Sequence, residues 1–332
     1  MKIFLKTLFL FSIPCVLFLL FVEIYLRLLP TSYTGKVKGL VSVADSIQLI
    51  ILGNSHATFG VDPNQMDLYA YNLAQVNQSL YFDKRLTLKY LDKLPKLKVV
   101  IITVDFHSLY FSSQGPRDAW SYYGNGIEYK DGLSLLNKYS RIMGYTPKVT
   151  VNLILKSLKK KYKTIKAVDV ENGVNLSHPM TKGWLEYTGT HHSAMNESNY
   201  RERAQDFNEL AKNSEEKMDV LKDLESFIQL LKFKNITPVL VTLPCYSPYA
   251  NMLDKTIVAQ NEDYLQTLSH KYAISYWNFL NLPLEEDKFW NCDHLNSEGA
   301  KIFSKILNQR ITESSSERKA ASIPSKEQDL VQ

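Results

Sequence analysis

The chain has 332 residues, of which 45% are hydrophobic and 22% charged. That balance excludes wholesale disorder and leaves room for one large domain or two small ones. Net charge is +5, mild for this length, and no basic motif carries interleaved stacking aromatics, so nucleic acid is not expected as a partner.

In chain order, the first feature is an apolar run. Thr7 to Val22 carry no charge and are mostly Leu, Phe, Ile and Val, with Lys2 and Lys6 before them and Glu23 and Arg27 after. Extended to about Leu26, the run reaches the ~20 residues that a membrane-spanning helix needs. Pro14 is tolerable in such a helix. The run passes into Glu23-Ile24-Tyr25-Leu26-Arg27 without the small residues a cleavage site requires. The expectation is an uncleaved anchor that holds residues 7–26 in the lipid bilayer. Lys2 and Lys6 favour a cytoplasmic N-terminus and an exocytoplasmic domain on a single-pass anchor, although Arg27, Lys36 and Lys38 weaken the asymmetry.

Residues 30–46 are expected as a polar connector between the anchor (1–29) and a domain over 47–311. Ile47 to Leu52 reads as a buried strand ended by Gly53-Asn54. Tyr71 to Ala74 reads as a short second strand, and Ser79 to Leu94 as a helix stopped by Pro95. Leu97 to Val104 is a continuous β-branched strand. From about 106 to 206 the rhythm breaks, and an aromatic-rich insertion is expected to cap or flank the site, with helices at 133–142 and 147–165. Its densest basic run is Lys156, Lys159, Lys160, Lys161, Lys163 and Lys166. This is either a solvated helix face or a contact for anionic lipid headgroups or an anionic wall polymer. Trp120, Tyr122, Tyr123, Trp184 and Tyr187 either pack the insertion or floor a sugar-binding groove.

Ser214 reads as a helix N-cap, followed by a buried face of Met218, Leu221, Leu224, Ile228 and Leu231. A strand over 237–243, a helix over 261–271, a strand over 273–277 and a helix over 296–309 follow. Residues 312–332, rich in Ser, Glu, Lys and Gln, are expected as a disordered tail. This alternation predicts an α/β three-layer sandwich, with a parallel flavodoxin-like sheet covered on both faces. The site of such a sheet lies at the carboxyl ends of its strands.

Two fragments fall at that rim. Gly53-Asn54-Ser55-His56-Ala57 sets a serine hydroxyl between a strand and a helix, beside N–H groups suited to a developing oxyanion. Ser55 as a simple N-cap would read the same. In Asn291-Cys292-Asp293-His294, a neutral imidazole entering the last helix can take the Ser55 proton. Asp293 and Asn291 are the local groups able to fix its tautomer. Cys15, Cys245 and Cys292 show no metal-site spacing, and His191-His192 lacks a third ligand, so neither metal nor cofactor is expected. Cys245 and Cys292 could pair if the domain faces an oxidising compartment.

Gly53-Asn54-Ser55 resembles the nucleophile turn of SGNH/GDSL hydrolases. Gly60-Val61-Asp62-Pro63 resembles its continuation in the branch that includes D-alanyl-lipoteichoic acid transfer and polysaccharide O-acetylation proteins. Asn291 to Ala300 resembles the last block of that branch, and the resemblance covers residues 47–105 and 235–309. It implies Ser55 as nucleophile, His294 as base, and oxyanion donors from the backbone of Ser55 or His56 and of Asn77. Substrate contacts are expected at Asn54, Gln78, Asp105 and His107, with a structural role the simpler reading of His107. The implied protein is a membrane-anchored serine esterase or acyltransferase acting on an acylated cell-envelope glycan or wall polymer.

The departures from that pattern are specific. Asn291 stands where the acid is usual. Asn77 stands where glycine is usual, though Asn tolerates positive φ. The third block's Asn has no clear counterpart in Thr103-Val104-Asp105-Phe106. These favour the alternative of a catalytically impaired accessory protein that binds an envelope glycan or a membrane acyltransferase.

Overall fold

The computed structural model describes residues 1–29, 31–112, 122, 126–127, 139–144, 147–161 and 180–321. In chain order its elements are α1 (Lys2–Leu28), α2 (Ser32–Ser42), β1 (Leu49–Leu52), α3 (Ser55–Gly60), β2 (Ala70–Asn72), α4 (Leu80–Tyr90), β3 (Val99–Thr103), α5 (Pro147–Lys161), α6 (Glu197–Asn213), α7 (Lys217–Phe233), β4 (Thr237–Thr242), α8 (Ser247–Ala250), α9 (Lys255–Tyr272), β5 (Ser275–Asn278) and α10 (Ser297–Ala321). They form two compact units, 1–38 with 112–179 and 39–111 with 180–332.

In the first unit, α1 is long and apolar enough to cross a membrane. Val22 and Leu26, near its end, are buried, with Ile142 and Ile154 packed against them. The Glu23 carboxylate accepts hydrogen bonds from Arg27 Nε, Ser140 Oγ and the Arg141 and Ile142 amides. The segment expected as a connector is largely the helix α2. Tyr33, Val37 and Leu40, at helical spacing, are buried, and that periodicity outweighs the polar composition.

The second unit is built on a five-stranded sheet of order β2-β1-β3-β4-β5, parallel throughout. Every residue of β1 and β3 is buried. Such unbroken apolar runs belong to strands covered on both faces. Leu49, Ile51, Ile101, Val239 and Val241 share one core with Phe303 and Leu307 of α10. Ile50, Val100 and Leu240, alternate in the pleat, are buried too, so the other face is also covered. The fold is an α/β sandwich with a flavodoxin-like strand order, whose switch point lies between β1 and β3.

Several boundaries move. Ser214 does not cap a helix start; it ends α6, and its Oγ donates to the Tyr110 carbonyl. The next helix begins at Lys217, so Met218 is exposed while Val220 and Phe227 join Leu224, Ile228 and Leu231 inside. The α9 helix starts at Lys255, where the Asp254 carboxylate accepts from the Thr256 and Ile257 amides. The last helix runs to Ala321 rather than ending before the tail, with Ile311 buried to hold it. Residues 322–332, most of the helix expected over 133–142, Lys163 and Lys166 lie outside the described residues.

Gly53 closes β1 with φ 133°, and its amide donates to Asp83 Oδ1 at 3.1 Å. A Cβ there would lie 1.7 Å from Thr103 Oγ1. Gly53→Ala should therefore cost at least ~2 kcal/mol, from the strained backbone and the overlap together, read as a lowered denaturant midpoint. An unchanged midpoint would contradict this turn geometry.

Candidate active site

The carboxyl ends of β1 and β3 and the loop before α10 converge. The Ser55 Oγ and His294 Nε2 lie 2.8 Å apart, although 239 positions separate them in sequence. On the far side of the ring, His294 Nδ1 meets Asp293 Oδ1 at 2.8 Å and Asn291 Oδ1 at 3.0 Å. Asn291 Oδ1 also accepts the Asp293 and His294 amides, so this side chain shapes the loop while Asp293 supplies the charge. Nδ1 facing those oxygens carries the proton, which leaves Nε2 to accept from Ser55.

Asp293 is fully enclosed, and its Oδ2 accepts from Arg203 Nε at 2.8 Å and faces His56 Nε2 at 3.4 Å. Burial would raise its pKa, but His294, Arg203 and His56 outweigh burial and hold it well below the usual carboxylate range. Arg203, on α6, was not singled out from sequence. Nothing about an arginine on a polar helix marks it for this task.

The His56 ring is the second feature that sequence did not foresee. Its Nδ1 lies 3.3 Å from Asp105 Oδ2, off the line of a hydrogen bond, and its ring stands edge-on to His294 and His107 at 4.7 and 5.3 Å between centroids. Burial opposes a charge on His56, but Asp105 and Asp293 prevail and raise its pKa to about 9. It is thus an imidazolium held between two carboxylates. Asp105 is lowered, with His56 overcoming burial. Burial and then His56 push His107 down to about 3, so that ring is neutral. His294 is also lowered, because burial, His56 and Arg203 together outweigh Asp293.

Other expected site residues take supporting positions. The His56 amide does not offer itself to an oxyanion: it donates to Asn54 Oδ1 at 2.9 Å, as the second amide of the short helix α3. Asn54 is buried, and its Nδ2 meets His107 Nε2 and Ser108 Oγ. Gln78 is buried as well and donates to Asp83 Oδ1 at 2.6 Å, so neither side chain faces solvent. His107 stacks on Phe207 at 4.2 Å. Asn77 is exposed with φ 57°, the backbone that its position asks for. Among the described residues the Ser55 amide has no acceptor.

The aromatic groove takes a different form. Phe59, Tyr187, Trp290 and His191 stack in sequence at 3.9, 4.4 and 5.1 Å. Both faces of Tyr187 are thereby covered and no sugar can stack on them. Trp184 and Tyr122 are buried, while Trp120 and Tyr123 lie outside the described residues. Cys245 and Cys292 are buried free thiols. Burial and the Asp293 charge raise both, Cys292 to about 12, which makes them poor nucleophiles. His56, Asp293 and His294 bring ligand atoms within 4.8 Å of one another. A cation there would have to displace Arg203 and the Ser55 hydroxyl.

No family model matches the chain, and no curated protein matches its sequence. Some solved structures resemble it in fold. A GDSL-like lipase from Bacteroides thetaiotaomicron is 11% identical with a TM-score of 0.40, covering 85% of this chain and 98% of its own. A Bacteroides fragilis protein provisionally described as an acylhydrolase is 10% identical with a TM-score of 0.39, covering 82% of this chain and 93% of its own.

The charge arrangement is testable without substrate. His56→Gln removes the cation that faces His294, so the His294 pKa should rise in imidazole 15N NMR titrations. An unchanged value would mean that His56 is not charged.

Proposed function

We propose that this chain is a serine esterase or acyltransferase of the SGNH/GDSL type, with Ser55 as nucleophile. The observation that carries the reading is the 2.8 Å contact of Ser55 Oγ with His294 Nε2, backed by the 2.8 Å contact of His294 Nδ1 with the buried Asp293 carboxylate. The motif resemblance around Ser55 and His294 supports the same assignment.

In this mechanism Ser55 Oγ attacks the ester carbonyl while His294 Nε2 takes its proton. The oxyanion is met by the backbone amides of Ser55 and Asn77. Collapse expels the alcohol, which recovers the proton from His294 and leaves acyl-Ser55. Water or a second hydroxyl, deprotonated by His294, then attacks the acyl carbonyl, and Ser55 Oγ leaves as it takes that proton back from His294. Asp293 holds the ring's tautomer and faces the imidazolium as it forms.

The apolar α1 makes a membrane anchor the natural setting, with the α/β unit exocytoplasmic and an acylated envelope glycan or wall polymer as substrate. Retention of α1 is supported by Glu23, Val22 and Leu26, which bind the returning chain; a cleaved leader has no use for such contacts.

Ser55→Ala should abolish turnover of a small acyl ester and labelling by a fluorophosphonate while leaving the denaturant midpoint unchanged. Labelling that survives the substitution excludes Ser55, and a wild-type chain that is never labelled points to the accessory, non-catalytic reading. Asp293→Asn should lower kcat by up to ~10⁴.

The acid limb of kcat/KM reports protonation of His294. Because its pKa is lowered, activity should persist below the ordinary histidine range of about 6.5 and fall only at more acid pH. His56→Gln should move that limb to higher pH. A limb that stays in place in the variant would remove His56 from the mechanism.

A further inference from the structure

The amphipathic helix α5 presents two adjacent stripes. Thr150, Ile154 and Ser157 turn toward the chain's own interior: Thr150 is buried, Ile154 packs on Val22 and Leu26 of α1, and Ser157 Oγ meets Tyr25 Oη at 2.7 Å. One residue further on, Val151, Leu155 and Leu158 repeat the same spacing, and they are 54%, 51% and 45% exposed. Three aliphatic side chains half open on one face beside an apolar helix form the kind of patch that marks an interaction surface.

We infer that this stripe lies in the headgroup–acyl boundary of an anionic lipid bilayer, so that α5 is an interfacial helix docked on the anchor. The inference rests on the reading of α1 as membrane-spanning. Its level on that anchor follows from the contacts. The charge-free exposed apolar run of α1 reaches Phe21, and Ile24 and Leu28 are exposed beyond it among the charged residues of the last turns. The next turn carries Glu23 and Arg27, paired to each other and tied to 139–142, and Tyr25, the residue type that favours a membrane–water interface. Ile154 and Ser157 touch that turn, so Leu155 and Leu158 sit at the depth where the hydrocarbon ends.

Charge complements the position. The sequence gives α5 Lys148, Lys156, Lys159, Lys160 and Lys161 and no acidic residue. Polybasic segments beside a membrane span attract anionic headgroups. Covering the exposed halves of Leu155 and Leu158 acts in the same direction. The two terms act on the same helix, as in helices that lie in the interface plane.

The test uses the full chain carrying Cys15→Ala, reconstituted in phosphatidylcholine vesicles with and without phosphatidylglycerol. Nitroxides are placed singly at Leu155→Cys, Leu158→Cys and Val151→Cys, at Phe11→Cys on α1, and at Glu209→Cys as an aqueous reference. Accessibility to oxygen and to a water-soluble nickel chelate reads the depth of each. The expected result is a several-fold higher oxygen-to-nickel ratio at 151, 155 and 158 than at 209, increasing when the anionic lipid is present. Water-like values at 151, 155 and 158 with a lipid-like value at 11 would overturn the interfacial helix and leave the anchor standing. A water-like value at 11 would overturn both. Lipid-like values at 151, 155 and 158 that ignore phosphatidylglycerol would overturn the anionic preference. Val151→Cys supplies the reading independently if either leucine variant fails to fold.

Discussion

The buried carboxylate of Asp293 is the constraint around which the α/β unit's rim is organised. A lone carboxylate at this burial would cost several kcal/mol and would escape by taking up a proton. Here Arg203, His56 and His294 converge on its two oxygens. With Asp105 facing the other nitrogen of His56, the charges close: Asp105 and Asp293 balance His56 and Arg203. His294 is thereby left neutral, as the proposed role of base requires.

Parallel topology makes this closure possible. Ser55 and His56 follow β1, Asp105 follows β3, His294 precedes α10, and Arg203 comes from α6. Strands that run the same way deliver their carboxyl ends to one rim. Groups remote in sequence can therefore meet without any long side chain reaching across the fold. Asp83 performs a related task from beneath, accepting the Gly53 amide and the Gln78 side chain. Burial raises its pKa to about 8, against both of those bonds, so the turn before Ser55 rests on a carboxyl that is largely neutral.

Much of this was legible in the residues. β1, β3 and β4 announce themselves because strands covered on both faces cannot carry polar alternation. Ser55 and His294 were visible as motifs at strand and helix ends. What stayed hidden depends on tertiary packing. The ring of His56 follows Ser55 in sequence, but no local pattern says that it turns inward between Asp105 and Asp293. Arg203 sits on a helix of ordinary polar composition. α2 and the extension of α10 were masked by polar residues, whose few apolar partners, Tyr33, Val37, Leu40 and Ile311, are enough to fix them. The oxyanion reading of the His56 amide missed the competing claim of the Asn54 side chain, because a capping acceptor is a three-dimensional fact.

One oxygen in the loop before α10 has a wider consequence. Asn291 Oδ1 gathers two backbone amides and stands close to the same ring nitrogen that Asp293 holds. The imidazole can thus be reached from two sequence positions. An acidic group at either would orient it, but only at 293 does that group also meet the guanidinium of α6. The position of the acid in this loop therefore decides whether the ring is tied to the facing helix: at 293 the carboxylate links the imidazole to Arg203 through its second oxygen.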